Sequence, residues 1–245
     1  IAAAIEAALG DAVSVVNIGA GAGSYEPAGR TVIAVEPSEV MIRQRPPGAG
    51  PCLRGTAEAL PLDTASVDAA MAILTLHHWT DLERGLAEMA RVARRCAVVL
   101  TWIPDAAPFW LTDDYFPEIA AHDRTIFPAA AALVAMLERT IGPVQMAPVP
   151  IPHDCTDGLA GAYWRRPDFY LDAERRGAMS VFARLDAEAG LARLRADLSS
   201  GHWAERNGHL LALDALDLGY RLVCCEMGGK ERQTPARHLD IGASR

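Results

Sequence analysis

Short runs of uninterrupted apolar residues recur through the first hundred positions of the chain, and amphipathic segments lie between them. The runs are VSVVNI (13–18), TVIAVE (31–36), SVDAAMAIL (66–74) and CAVVLTWI (96–103). They are rich in β-branched residues and do not alternate apolar with polar positions, which is typical of strands buried on both faces. Because helical segments separate them, the pattern predicts βαβ units and a parallel sheet with helices on both faces.

The segment between the third and fourth runs predicts an amphipathic helix. Leu82, Leu86 and Met89 recur at helical spacing along TDLERGLAEMARVARR. Thr80 and Glu83 have the spacing of a capping box, in which a hydroxyl and a carboxylate satisfy the first free N–H groups of a helix. The sequence therefore predicts that Thr80 caps this helix.

The pattern changes after about residue 104, where prolines and aromatic residues become frequent. Further helices are predicted over 128–142 and within 167–218, and YRLVCCEM (220–227) predicts a late strand. We divide the chain accordingly into a sheet-forming half (1–103), a helical elaboration in the C-terminal half (104–218), and a last strand with a polar tail (219–245).

Composition and charge exclude several classes of partner. The chain has 245 residues, of which 51% are hydrophobic and 22% charged, which suits one domain or one domain with a large insertion. Its net charge of −8 leaves no basic stripe for nucleic acid, and no apolar run approaches the ~18 residues of a membrane span. The five cysteines include no C-x-x-C pair, so we expect no metal site and a cytoplasmic protein.

Three alternating glycines follow the first predicted strand. Gly19, Gly21 and Gly23 suit a backbone that approaches a ligand, and the alternative is a tight turn with no ligand. The dinucleotide fingerprint requires a sixth-place glycine, where this chain has Ser24. Glu36 ends the second strand, where an acid can accept hydrogen bonds from both hydroxyls of a ribose. The alternative for Glu36 is an ordinary charged strand end.

Four ordered motifs together resemble a known family. They are VVNIGAGAGSYEP, VIAVEPSEVM, GTAEALPLDTASVDAAMAILTLHHW and EMARVAR, which span residues 13–103. They are similar to the class I S-adenosylmethionine-dependent methyltransferases of the type 11 group. The resemblance implies an α/β fold, with a Rossmann-like, doubly wound, mostly parallel seven-stranded sheet, and S-adenosyl-L-methionine as the cofactor.

The same resemblance assigns cofactor-binding roles to eleven positions. The glycine loop would lie against the methionine and ribose, Glu36 would hold the ribose hydroxyls, and the others would line the adenine or the methionine. The positions are Gly19, Ala20, Gly21, Gly23, Glu36, Pro37, Thr56, Ala57, Glu58, Leu74 and Thr75. Asn17 and Thr56 stand where the family usually has acids, which predicts weaker cofactor binding and leaves a non-catalytic binding module as an alternative.

The segment LHHW (76–79) holds the candidate catalytic residues. Methyl transfer from a sulfonium is an in-line displacement that depends mainly on proximity, with a base to remove a proton from the acceptor. His77 or His78 suits that role, although either histidine could instead only orient the backbone. Aromatic residues that could wall an acceptor pocket are Tyr25, Trp79, Trp110, Tyr115 and Tyr163.

The function predicted from the sequence is methyl transfer from S-adenosylmethionine to a small organic molecule. We expect residues 104–218 to cover the sheet edge and enclose the acceptor. A nicotinamide-dependent oxidoreductase is a further alternative. The predicted partner is a small-molecule substrate, with no nucleic acid and no membrane, and the sequence carries no indication of an oligomeric state.

Overall fold

A computed structural model describes residues 1–227, in which the chain forms two compact units. We call one the sheet unit, which comprises Ile1–Trp102, Ala129–Val149 and 221–227. We call the other the helical unit, which comprises Ile103–Pro128 and Pro150–Tyr220. The polar tail predicted from Gly228 onward lies outside the described residues.

Nine strands occur among residues 1–227. They are β1 (Ser14–Ile18), β2 (Thr31–Glu36), β3 (Cys52–Arg54), β4 (Val67–Ile73), β5 (Ala93–Trp102), β6 (Val144–Pro148), β7 (Ile151–Pro152), β8 (Ala215–Leu216) and β9 (Tyr220–Glu226). Seven of them form one sheet in the order β3-β2-β1-β4-β5-β9-β6, and β7 pairs separately with β8. The first five strands are parallel, whereas β9 is antiparallel to β6. The predicted Rossmann-like, mostly parallel seven-stranded sheet is confirmed.

The central strands form the core of the sheet unit because they are apolar on both faces. Val15, Val16, Ala69, Ala70 and Met71 have no exposed surface. Strands β1, β2, β4, β5 and β9 begin and end within three residues of the predicted runs, and β5 differs most among them. It begins at Ala93 because Ala93 already pairs with Val67 of β4.

Eight α-helices occur in the described part of the chain. They are α1 (Ala2–Leu9), α2 (Glu39–Arg43), α3 (Leu82–Val92), α4 (Pro117–Ile126), α5 (Ala130–Thr140), α6 (Ala173–Gly177), α7 (Glu188–Ser200) and α8 (His202–Asn207). The capping box predicted for α3 is wrong. Asp81 is the N-cap and accepts a hydrogen bond from Arg84 N, while Thr80 donates to Glu58 instead. The carboxylate of Asp81, one residue closer to the helix than Thr80, therefore caps α3.

The predicted elaboration at 104–218 spans both units. Its middle part, α5 and β6, belongs to the sheet unit, and the helical unit consists of the segments on either side. The chain leaves the sheet unit after β5 and returns to it at Ala129, and it leaves again after β6 and returns within β9. No helix within residues 1–227 is long and apolar enough to cross a membrane.

The carboxyl ends of β1, β2 and β4 share one edge of the sheet, because these strands are parallel neighbours. From β1 the chain first adds β2 and β3 on one side of the sheet and then crosses to the other side of β1 to add β4 and β5. The direction in which strands are added therefore reverses at β1. In open α/β sheets, ligands bind outside the carboxyl ends of the strands at such a reversal. The topology therefore directs attention to the loops that follow these three strands.

Candidate functional site

The glycine loop after β1 depends on residues that lack a side chain. Gly19, Gly21 and Gly23 have φ of 65°, 53° and 94°, a region that L-residues with side chains rarely adopt. At Gly19 a Cβ atom would lie 2.1 Å from Oγ1 of Thr75, the residue that follows β4 by two positions. Gly19 therefore allows the loops after β1 and β4 to make direct contact.

Glu36 lies at the end of β2 with its carboxylate directed to the glycine loop. Its Oε2 accepts a hydrogen bond of 2.8 Å from Gly21 N, and its Oε1 accepts one of 2.9 Å from Ser38 N. The residue is only 6% exposed, so these bonds hold the side chain in place. A carboxylate has about four acceptor positions, and Glu36 therefore retains capacity for two further donors.

Asn17, near the end of β1, joins a buried ion pair. Its Nδ2 donates to Glu26 Oε1 at 3.1 Å. Arg45 donates to both Glu26 oxygens at 2.9 Å, and the Arg45 and Glu26 side chains are 5% and 12% exposed. The pair also borders the loop, because a Cβ atom on Gly23 would lie 3.0 Å from Arg45 Nη1.

The carbonyl oxygen of the Asn17 side chain has no such partner. Oδ1 is buried and receives no hydrogen bond from any described residue. An unsatisfied buried acceptor is uncommon in folded proteins and calls for a donor from a ligand or water. Together with the spare acceptors of Glu36, it fits a ligand that carries hydroxyl and amino groups, as S-adenosylmethionine does.

The segment predicted to line the adenine follows β3. Thr56 is exposed, Ala57 is buried, and the Glu58 carboxylate accepts hydrogen bonds from Thr80 N, Thr80 Oγ1 and Asp81 N. Burial acts to raise the pKa of Glu58, but the backbone N–H donors outweigh it and the pKa is lowered. Glu58 thus anchors this segment to the start of α3. Pro37 is exposed beside Glu36.

The segment after β4 contains the two histidines. Leu74 has φ of 53°, Thr75 is buried, and Leu76–His78 form one turn of 3₁₀-helix. The rings of His77, half-buried, and His78, exposed, have centroids 3.9 Å apart. The two histidines therefore lie two and three positions after Thr75, the residue beside Gly19.

Two aromatic candidates also lie in the sheet unit. Trp79 packs its ring against α3, where a Cβ atom on Gly85 would lie 2.4 Å from Trp79 Cε3. The Trp79 Nε1 is buried and has no acceptor among the described residues. Tyr25 is half-buried in the glycine loop with φ of 63°. The edge thus brings together the predicted glycine loop, Glu36, Thr75, the histidines and Tyr25.

The three remaining aromatic candidates belong to the helical unit, where they are buried. Trp110 Nε1 donates to the carbonyl of Trp164 at 2.9 Å. Tyr115 donates to Asp197 at 2.8 Å, and burial raises its pKa to about 12. The guanidinium of Arg166 lies 5.0 Å from the Tyr163 ring centroid. These side chains are packed into the core of the unit, and their role in acceptor binding stays a prediction.

The sequence analysis missed a buried acid in the helical unit. Asp123 on α4 is 8% exposed, and no described residue donates a hydrogen bond or an ion pair to its carboxylate. Burial raises its pKa to about 6, which the nearby His122 partly opposes. The residue is flanked in sequence by polar His122 and Arg124, but it lies at helical spacing from buried Ile119 and Ala120. This helical spacing was the feature of the sequence that could have indicated that Asp123 is buried.

Three further polar groups of the helical unit are buried without a partner. They are Nε of Arg166, Nε1 of Trp203 and Nδ2 of Asn207, of which the last two lie one helical turn apart on α8. Trp203 and Asn207 are 3% and 7% exposed, and none of the three nitrogens finds an acceptor among residues 1–227. The helical unit therefore encloses three donors that its described residues do not satisfy.

The five cysteines are all free thiols. Burial raises the pKa of Cys96 to about 11, and those of Cys224 and Cys225 to about 12. These three thiols therefore stay protonated and unreactive at neutral pH. No group of three or more histidine, cysteine or acidic side chains that could hold a metal is present among residues 1–227.

The sequence and the fold match known methyltransferases. Residues 16–101 match a family described as a methyltransferase domain. A candidate methyltransferase from an antibiotic biosynthesis pathway of Anabaena variabilis is 36% identical, with a TM-score of 0.84, over 91% of this chain and 95% of that chain. No curated protein sequence matches.

Two more distant structures share the fold alone. A SAM-dependent methyltransferase of Thermotoga maritima has 16% identity and a TM-score of 0.55, over 92% of this chain and 87% of that chain. The geranyl diphosphate C-methyltransferase of Streptomyces coelicolor, solved with S-adenosyl-L-homocysteine, has 16% identity and a TM-score of 0.51, over 92% of this chain and 76% of that one.

Proposed function

Because the chain belongs to the class I S-adenosylmethionine-dependent methyltransferases, we propose that it methylates a small organic acceptor. The observation that carries this proposal is the convergence of the Glu36 carboxylate, Gly21 N–H and the Gly19–Thr75 contact at one sheet edge. S-adenosylmethionine supplies an activated methyl group on a sulfonium. The protein's task is then to bind, to orient and to accept a proton.

We assign the cofactor contacts to the groups at this edge that have spare hydrogen-bonding capacity. Glu36 would accept from the two ribose hydroxyls, since each of its oxygens receives only one backbone N–H. Asn17 Oδ1 would accept from the amino group. The positive φ angles of the glycine loop leave its backbone open to close approach.

We assign the proton acceptor to the histidine pair. The two rings have centroids 3.9 Å apart, and a neutral imidazole nitrogen can take a proton from the acceptor. His77→Asn/His78→Asn should lower kcat by about 10²–10⁴, the usual contribution of general-base catalysis. The dissociation constant for S-adenosylhomocysteine should stay within about threefold of wild type.

The exposed His209 of the helical unit gives a matched control for this experiment, and His209→Asn should leave kcat unchanged. A double variant that keeps wild-type kcat across the pH range would show that neither histidine acts as the base.

The helical unit is the part of the chain that we propose binds the acceptor. It begins where the chain leaves β5 and β6, both of which end at the carboxyl edge, and it holds buried polar groups without partners. The relative from an antibiotic biosynthesis pathway fits a small organic acceptor. A net charge of −8 disfavours a nucleic acid as the methyl acceptor. We also propose that the protein is cytoplasmic.

Cofactor binding is tested by Glu36→Gln. The amide NH₂ group of the variant would face Gly21 N–H or Ser38 N–H, so that two donors oppose each other. The substitution would also remove the negative charge of the carboxylate that accepts hydrogen bonds from the ribose hydroxyls. We expect affinity for S-adenosylmethionine to fall about 10–100-fold in calorimetry, because hydrogen bonds to charged groups contribute about 1.5–3 kcal/mol.

Glu39→Gln is the matched control for Glu36→Gln, because Glu39 is an exposed acid of the same unit. A titration with NADH, which should show no binding, tests the oxidoreductase alternative. Equal affinities of Glu36→Gln and the wild type for S-adenosylmethionine would refute the assignment of Glu36.

A further inference from the structure

Asp123 is a largely buried acid for which the described residues provide no counter-charge. Acids are almost never fully buried unless they are paired, because loss of hydration is costly. Asp123 is 92% buried, and no lysine, arginine or hydrogen-bond donor among the described residues contacts its oxygens. The group therefore destabilises the unit that contains it.

No described residue packed around Asp123 forms an ion pair with its carboxylate. On the same helix, His122 is exposed, and Arg124 turns to an exposed ion pair with Asp105. The other titratable group close enough to feel the Asp123 charge is the buried Tyr220. The turn Leu111–Tyr115 packs against α4 and adds only the exposed Asp113 and Asp114, which have the same sign as Asp123.

We propose that Asp123 is an acceptor-binding residue that pairs with a cationic nitrogen, so that the acceptor carries an amine. This inference rests on the proposed function, because it takes the helical unit as the acceptor-binding part. A protonated amine supplies the missing charge and up to three N–H donors for a carboxylate. The assignment concerns recognition of the ammonium group and not proton transfer.

A purely structural acid would stabilise the protein, whereas Asp123 should destabilise it. Its pKa is raised to about 6, so its proton is held more tightly in the folded than in the unfolded chain. The penalty is absent below pH 4, grows as the pH rises from about 4 to about 6, and is complete above pH 6. Asp123→Asn should therefore raise Tm at pH 7.5 by several degrees and leave it unchanged at pH 3.5.

The ligand experiment compares amines with alcohols of the same skeleton. Phenethylamine is paired with 2-phenylethanol, and tyramine with 4-(2-hydroxyethyl)phenol, each added with and without S-adenosylhomocysteine. We expect the amines to raise Tm of the wild type at pH 7.5 and the alcohols to have little effect. Asp123→Asn should bind the amines at least about tenfold more weakly, the effect of about 1.4 kcal/mol.

The matched control is Glu118→Gln, which removes an exposed acid from the same helix and should behave as the wild type. Two results would overturn the proposal: no preference for amines over alcohols, or a lower Tm of Asp123→Asn at pH 7.5. Failure of the proposed function is a separate result, namely no binding of S-adenosylhomocysteine in any variant, and the arm without that compound still reports on Asp123.

Discussion

Arg45→Met is expected to lower the free energy of unfolding by about 3–5 kcal/mol, because removal of one partner leaves a buried charge uncompensated. Arg45 makes two hydrogen bonds of 2.9 Å to Glu26, and both side chains are largely buried. Without the guanidinium, the Glu26 carboxylate keeps only the Asn17 amide as a donor among residues 1–227. The measurement is urea denaturation followed by circular dichroism.

Arg45→Met should also weaken binding of S-adenosylmethionine, because the ion pair borders the glycine loop at Gly23. The double variant Glu26→Leu/Arg45→Met should lose less stability than the sum of the two single changes, since neither charge is then left alone. Arg43→Met, which removes a 71% exposed side chain, is the matched control and should cost under about 1 kcal/mol. An Arg45→Met protein as stable as Arg43→Met would contradict the argument.

Gly19→Ala is expected to cost about 2–5 kcal/mol of stability. A left-handed backbone costs an alanine about 1–2 kcal/mol, and overpacking adds about 1–3 kcal/mol. The added Cβ would lie 2.1 Å from Thr75 Oγ1, so the loops after β1 and β4 must separate. Because Glu36 is bonded to the same glycine loop, we also expect a loss of cofactor affinity by calorimetry.

Gly29→Ala is the matched control for Gly19→Ala, because comparison of the two variants separates the cost of the steric clash from the cost of the backbone conformation. Gly29 has φ of 77°, close to the 65° of Gly19, but a Cβ atom there would meet nothing within 4 Å. Gly29→Ala should therefore cost only the backbone part, about 1–2 kcal/mol. If the two alanine variants were equally stable, the contact between Gly19 and Thr75 would have no energetic significance.

Much of the sheet could be predicted because its signals are local. Strands β1, β2 and β4 are buried on both faces, so their apolar runs show little interruption, and positive φ angles account for the alternating glycines. The prediction of the N-cap of α3 was wrong because Thr80 and Asp81, at adjacent positions, both carry side-chain oxygens that could cap the helix. The choice between them depends on Glu58, which takes the Thr80 hydroxyl and lies 22 residues away.

The candidate site was predictable only in part, because some of its groups meet across long stretches of chain. Gly19 and Glu36 could be assigned from motifs. The pairing of Glu26 with Arg45 could not, because Arg45 lies outside the four motifs and both residues resemble ordinary surface charges. Asp123 was missed for a similar reason, since burial of one acid on a polar-looking helix is decided by tertiary packing.

The strand order also has a consequence for synthesis of the chain. Strand β6 has β9 as its neighbour in the sheet, and β9 lies between β5 and β6 although it is the last of the described strands. A ribosome that has released residues 1–148 has therefore produced β6 with no strand to pair with, and β5 with one side unpaired. All but the last residue of the helical unit is synthesised before β9, so the sheet can close only after nearly all of the described chain has emerged.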